Sequence, residues 1–570
     1  MPGLNARSTA RSCRRFALHA YLLILLAVTA CTPPQQETAT LAITGSRVWT
    51  GDPGQPWAEA VASRGDKIIA VGSAESIAAL IGDETEIISV EGSMLVPGFI
   101  DTHVHFLSAS SSLVSVQLRD AKTPKEFSER IGEFATTIEP GEWIINGAWD
   151  HTNWGGELPS RDWIDAVTPD NPVWVSRLDG HMGLANSPAL EAAGVDADSP
   201  DIDGGTIVRD SSGAPTGLLK DNAMRAIFAA MPELTEAQLD RYLEAGMRHV
   251  AGNGVTTLHD VFADEFDSWA SLAAYRRANA KGALITRIYS VSPLHDWQIL
   301  AEDVAANGRG DDWLRTGGLK AMLDGSLGSH TAAFFEPFTD TPDDHGFFVN
   351  SLEDMRAWIT GADAAGLQVM VHAIGDKAIR DLLDIYYEVA KEHGDRDRRF
   401  RIEHAQHIHP DDIERFAVQN VIASMQPYHA IDDGRWAEDV IGPDRIKTTY
   451  AFKSLIESGA HLAFGSDWFV APPSPIEGIY AAVTRRTLDD ANPDGWVPEQ
   501  KITVEQALRA YTYEGAFASF EENKKGTIKE GLLADMVLLD RDITTIAPQT
   551  IPDVEVLKTI VGGREVFSNQ

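Results

Sequence analysis

Over residues 41–96 the apolar positions come in short runs broken by turns: 41–43 before Gly45, 60–62, 67–71 before Gly72, and 86–90. Runs of that length, punctuated by glycine, predict the strands of a small β-unit. The chain closes the same way, with strands and turns expected over 526–540 and 556–566, so 41–96 and 520–570 together form an expected composite β-sandwich domain. Between these ends the period changes. Thr235-Glu236-Ala237-Gln238 has the form of a capping box, a helix follows to about Val250, and Gly252-Asn253-Gly254 leads into a strand at 255–258. The unit recurs at Ser351, whose helix ends near Gly366 before a strand at 367–371 and His372. Further strands fall at 400–404, 421–425 and 462–466, and Thr503 to Gln506 caps the helix that returns the chain to the small sheet. Alternating helices and strands are the pattern of an α/β protein built from βα units. A (β/α)8 TIM-like barrel is therefore expected over 97–519.

The first barrel strand follows Pro97-Gly98. On a strand the side chains alternate, so Asp101, His103 and His105 share one face while Ile100, Thr102 and Val104 share the other. Two neighbouring imidazoles suit a metal, and a barrel would place them at its C-terminal mouth. Taken alone, an H-x-H is as well explained by two polar residues at a strand end. From His105 to Lys320 there are 215 residues, whereas a whole minimal barrel takes ~250. An insertion is therefore expected after the first strand, roughly at 108–230. It carries Trp143, Trp149, Trp154, Trp163 and Trp174, which could line a substrate pocket or simply form the insertion's own core.

Charge narrows the partners. The 570 residues hold 48 basic and 84 acidic side chains, and such a surface repels a phosphate backbone, which excludes nucleic acid. The acidity is read as solubility. Arg7, Arg11, Arg14 and Arg15 precede an apolar run at 16–28, and Val28-Thr29-Ala30-Cys31 has the form of a bacterial lipoprotein cleavage box. Residues 1–30 are expected to be a signal peptide, with Cys31 lipidated and 31–40 a flexible tether; the alternative is an uncleaved anchor helix. The apolar run is shorter than the ~20 residues a membrane span needs. With Cys13 removed and Cys31 modified, the mature chain would carry no thiol. Contact with a membrane would run only through the lipid, on the periplasmic side of a bacterial outer or inner membrane; Thr32 favours the outer one. The sequence sets no oligomeric state.

Four more polar residues fall at strand ends: Lys320, His372, His404 and Asp467. Each alone has an ordinary explanation, Lys320 for instance as the partner of Asp324. A barrel would bring them to one mouth. The order H-x-H, Lys, His, His, Asp, with P-G-F-I-D-T-H-V-H, I-E-H-A-Q and G-S-D around it, resembles the metal-dependent amidohydrolase superfamily. Gly325-Ser326-Leu327-Gly328-Ser329, Asp179-Gly180-His181 with Asn186-Ser187, and 478–485 resemble its YtcJ-like branch, which includes N-substituted formamide deformylases. His330 departs from the arginine expected there, which bears on ligand specificity.

The resemblance implies a ligand set. His103, His105 and Asp467 would hold one divalent ion, His372 and His404 a second, with carboxylated Lys320 bridging them. Zinc suits this set best, with manganese or iron possible. The ions would generate hydroxide from a shared water and polarise a carbonyl. Asp467 would act as general base and then acid, Asp101 would fix a ligand imidazole, and His181 would bind the substrate or the developing oxyanion. The expected reaction is hydrolysis of a non-peptide carbon–nitrogen bond, in an amide, formamide or N-acyl group of a small molecule. The alternatives are a mononuclear deaminase or a dipeptidase on the same barrel and, in another class, a non-catalytic ligand-binding surface lipoprotein. Deaminases of this kind carry a glutamate where this chain has Gly375.

Overall fold

A computed structural model describes residues 38–177, 182–200, 205–261 and 267–569. Its centre is an eight-stranded parallel sheet: β1 Phe99–Val104, β2 Val255–Asp260, β3 Arg287–Pro293, β4 Leu314–Met322, β5 Gln368–Ala373, β6 Arg401–His404, β7 Ile422–Met425 and β8 Leu462–Phe464. Neighbours in sequence are neighbours in the sheet, β1 to β8. A parallel bridge from Val104 to Trp468 and the bonds Asp467 N–H to His103 C=O and His105 N–H to Trp468 C=O bring the last strand back against the first. Gly465 permits that approach, since a Cβ there would stand 2.6 Å from the His103 nitrogen. The ring is therefore a TIM-like barrel.

Strands covered on both faces are apolar throughout, as in all-parallel sheets. Val369, Val371, Ile402 and Ala423 point outward into a core shared with Ile379, Leu382 and Leu383 of the helix Asp376–His393. Each large aliphatic side chain buried there contributes ~1.5–3 kcal/mol. Both capping boxes form, at Thr235 with Gln238 and at Thr503 with Gln506, so the helices start where their side chains satisfy the first backbone N–H groups.

After β1 the chain leaves the barrel. It builds a five-stranded sheet from Ile144–Trp149, Val173–Arg177, Met182–Ala185, Gly205–Arg209 and Pro215–Asp221. The tryptophans belong to the insertion's own cores. Trp149 is fully buried with Phe127 and Ile131, Trp154 and Trp163 pack on it, and Trp174 and Trp143 join a second cluster with Leu219. A substrate wall of tryptophans is not what the sheet makes of them, because its two faces need bulky apolar side chains to fill them.

Beside the barrel lie a four-stranded sheet of N-terminal strands and a six-stranded sheet in which Met94–Pro97 sits between Arg47–Trp49 and Met536–Leu539. Met94–Pro97 runs through Gly98 directly into β1. Among the described residues no helix is long and apolar enough to cross a membrane. Cys31 and the segment before it lie outside the described residues, as does His181.

Candidate active site

Because parallel strands share one direction, their C-terminal ends converge. His103 near the end of β1, His105 just past it, Lys320 on β4, His372 on β5, His404 ending β6 and Asp467 just past β8 meet at one mouth. His105 Nε2 stands 3.0 Å and His103 Nε2 3.6 Å from Asp467 Oδ1. The ring centroids of His103 and His404 are 4.8 Å apart, and those of His372 and His404 4.5 Å. One ligand atom each from His103, His404 and Asp467 falls within 4.8 Å of the others. Lys320 is 2% exposed and lines the same cavity.

Every ring is aimed by its other nitrogen. His103 Nδ1 donates to Glu403 Oε2 (2.6 Å), His105 Nδ1 to the Val261 carbonyl (3.1 Å), and His404 Nδ1 to Gln426 Oε1 (2.8 Å). His372 is turned the opposite way, its Nε2 donating to the Gly325 carbonyl at 3.0 Å. These acceptors place the proton on the outer nitrogen and leave an inner lone pair, as metal-binding histidines require. Glu403 is itself clamped, accepting from Arg401 Nε at 2.7 Å while Arg401 Nη2 donates to the Thr102 carbonyl and Ser424 Oγ. All three charged or ring side chains of this line are wholly buried.

Among the described residues two atoms at the centre have no hydrogen-bond partner. His103 Nε2 and Asp467 Oδ1 are buried without a hydrogen bond, and an unmet buried acceptor costs ~1–3 kcal/mol. A divalent cation satisfies both at once, and an imidazole and carboxylate set fits zinc or a similar ion. Burial holds the His103 imidazole down at about 4 and that of His372 at about 3, and pushes His404 well below the ordinary range, so these rings are neutral at pH 7, the form in which an imidazole can bind a metal. Burial also lowers the Lys320 ammonium. For Asp467 burial acts upward, but His105, close by at 3.0 Å, and the other surrounding imidazoles outweigh it and keep the carboxylate ionised. Two of the candidate ligands, His404 (φ 69°) and Asp467 (φ 60°), adopt left-handed backbone. Such residues store ~1–3 kcal/mol and cluster at working sites.

Other expectations change. Asp101 holds no imidazole: its carboxylate accepts from the His103 and Ser466 backbone N–H groups and from Ser466 Oγ, tying β1 to the loop that carries Asp467. Burial, opposed by those bonds, leaves it at about 7. The ring-fixing carboxylate is Glu403. Asp324 does not pair with Lys320; it accepts backbone N–H bonds from Ala333, Ile374 and Gly375. His330 pairs with Asp340 and is absent from the cavity wall. Asn186 caps the helix Ser187–Ala192, and Arg485 donates to the backbone carbonyls of Trp496, Tyr450 and Thr449; both are structural.

The mouth opens into a cavity of about 560 Å³, with Met322, Leu327, Ile374, Trp436 and Phe469 as its apolar wall. Gln426 and His429, both just beyond β7, carry polar groups to the site that sequence reasoning passed over. The strand-end rule applied to β7 as to its neighbours would have reached them.

A barrel whose mouth gathers inward-facing neutral imidazoles around an ionised aspartate and a buried lysine is that of a metal-dependent hydrolase. The chain belongs to the Amidohydrolase family, whose model matches residues 86–567. It is 39% identical over 545 residues to Protein LONG AFTER FAR-RED 3 of Arabidopsis thaliana, covering 94% of this chain and 93% of that one. It is 31% identical to the putative amidohydrolase YtcJ of Bacillus subtilis (89% and 96%) and 28% identical to the N-substituted formamide deformylase of Arthrobacter pascens (92% and 97%), which puts it in the YtcJ-like branch. A solved structure of an uncharacterized metal-dependent hydrolase from Pyrococcus furiosus superposes with a TM-score of 0.73 at 27% identity, covering 89% of this chain and all of that one. The protein is an amidohydrolase, an enzyme acting on carbon–nitrogen bonds.

Proposed function

We propose that the enzyme hydrolyses an amide, formamide or N-acyl bond of a small molecule that carries no carboxylate near that bond. The observation that carries the reading is the pair of unpartnered buried atoms, His103 Nε2 and Asp467 Oδ1, inside a ring of neutral imidazoles. His103, His105 and Asp467 would hold one divalent ion, His372 and His404 a second, and Lys320 would bridge them as a carbamate; zinc fits the set best. Bound there, the ions would supply acidified water and polarise the substrate's carbonyl. Lys320 suits the bridge because burial favours its neutral amine, the form that takes up CO2.

The residues divide the remaining work. Asp467 is ionised and takes the proton of the attacking water as its oxygen bonds to the carbonyl carbon. The same carboxyl then delivers that proton to the nitrogen as the C–N bond breaks, and a neutral amine leaves. The apolar wall receives the substituents and keeps bulk water away.

The alternatives are weakened at particular residues. At Gly375 a Cβ would stand 2.1 Å from the Ala333 carbonyl oxygen, so the deaminase glutamate has no room there. A dipeptide's carboxylate needs a cation, and among the described residues lining the cavity Lys320 is the one lysine or arginine, while Asp432 and Asp433 are acidic. The formamide activity in the Arthrobacter relative's name supports the choice of N-formyl compounds. The lipid on Cys31, and with it a place on the periplasmic face of a bacterial membrane, is proposed from the sequence at 7–31 alone.

The test is a panel of N-formyl and N-acyl amines against zinc-loaded enzyme, beside dipeptides and aminopurines. Turnover of neutral N-acyl amines that stops on chelation and returns with metal is expected. Release of ammonia from the purines, or preference for dipeptides, would replace the reading.

A further inference from the structure

Among the described residues four imidazoles line the cavity, and three have assigned tasks. His105 is bonded through Nδ1 to the Val261 carbonyl, with Nε2 at Asp467; His372 is bonded to the Gly325 carbonyl; and His404 to Gln426. His429 is the fourth. Its Nε2 is buried yet has no hydrogen-bond partner among the described residues, where the nearest carboxylate oxygen, Asp467 Oδ2, is 3.9 Å away, beyond bonding reach. A nitrogen so placed is not spent on the fold.

Its position is fixed from both sides. His429 lies in the helix Pro427–Asp433 that follows β7, and its ring runs parallel to that of His404, at 10° and 6.4 Å. Just before this helix, Gln426 holds His404; at its end, Asp433 accepts from Gln406 Nε2 (2.7 Å) and from the Tyr450 hydroxyl (2.5 Å). The helix is thus tied at both ends, which sets where the ring stands relative to the candidate ligands. A rigid donor costs nothing to reorganise when charge develops in front of it.

When water adds to the carbonyl carbon, the π pair moves to the carbonyl oxygen, which then needs a donor. We propose that His429, through Nε2–H, donates a hydrogen bond to that oxygen and strengthens it in the transition state. This rests on the amide-hydrolysis reading above. His429 is then a catalytic residue that binds no metal.

Three variants of the metal-loaded, full enzyme test it on an N-formyl amine that the wild type turns over. H429F keeps a planar ring without the donor; it is expected to lose ~10²–10³-fold in kcat, with KM, metal content and Tm close to wild type. H429Q keeps an N–H of similar reach and should recover at least about tenfold over H429F. Should H429F fail to fold, H429Q against H429E carries the comparison, since glutamate has the same length and no donor when ionised. A kcat unchanged without the donor overturns the proposal, as does a loss of activity matched by loss of metal, which would make His429 a ligand, or an effect confined to KM. A second readout needs no turnover: methylphosphonate, a tetrahedral oxyanion, should bind wild type ~10²-fold more tightly than H429F. If no amide is hydrolysed but that difference persists, the reaction is wrong and the donor stands. Equal binding with amide turnover intact means the reverse.

Discussion

The two ends of the barrel both bury charge, and they treat it differently. At the floor, Arg287 opens β3 and is 1% exposed. Its Nε and Nη2 meet the two oxygens of Asp535 at 2.7 and 2.8 Å, its Nη1 donates to the Asp312 carbonyl, and the guanidinium lies over Trp313. Asp535 also accepts from the Gly562 N–H. This ion pair is closed, and it joins the barrel to the small β-unit. At the mouth, Glu403 and Arg401 are just as buried and just as well paired, but the line they form ends in His103 Nε2, which has no partner. Buried charge that is fully met holds a fold together, whereas buried lone pairs left open together mark where something else must bind.

The contrast can be broken from either end. The largest effect belongs to Asp467→Asn, which should lose ~10²–10⁴-fold in turnover while retaining most of its metal; activity like the wild type's would remove Asp467 as the proton carrier. Lys320→Ala should instead lose metal, and short-chain acids added with zinc should restore part of the activity by supplying a bridge. At the floor, Arg287→Met should cost ~3–5 kcal/mol in denaturant unfolding, because Asp535 is left buried and unpaired. Metal content per folded chain should not change, and a parallel loss of metal would erase the distinction drawn between the ends.

A smaller change tests the line between them. Glu403→Gln removes the charge that orients His103, and chelator competition should show metal affinity reduced ~10–100-fold with the fold intact. Unaltered affinity would make Glu403 a purely structural group like Asp535. The smallest effect belongs to a buried imidazole that does not line the cavity. His407 bonds to Thr449 Oγ1 and to the Gln406 amide, and burial, aided by Arg445, holds it at about 3. The unfolded chain takes up this proton at ~6.5, so between those values it binds more protons than the folded one, and stability falls as pH falls through that window. In metal-free protein, His407→Asn should therefore lose ~1 kcal/mol less than wild type between pH 6.5 and 5.5. An equal loss would mean that the ring is protonated in the fold.

Much of this was legible in the chain. The βα alternation, both capping boxes and the strand-end positions of His103, Lys320, His372 and His404 follow from periodicity, which is local. What escaped depends on which strand faces which. Asp101 shares a strand face with His103, yet its carboxylate turns to the backbone of the β8 loop; Glu403 reaches His103 only because β6 stands across the barrel from β1. Such cross-barrel distances leave no spacing signal. The tryptophans of the insertion stayed open between two readings for a related reason, since a concentration of aromatics describes a core and a pocket equally well until the sheet that buries them is known.

The most direct test is metal content per chain, by elemental analysis of the soluble form beginning after Cys31, purified without chelators and with bicarbonate present. Close to two zinc or similar ions are expected. One ion would leave the hydrolase with a mononuclear site and no carbamate bridge, and none, even after metal is supplied, would contradict the central claim that the open lone pairs at the mouth exist to bind a cation.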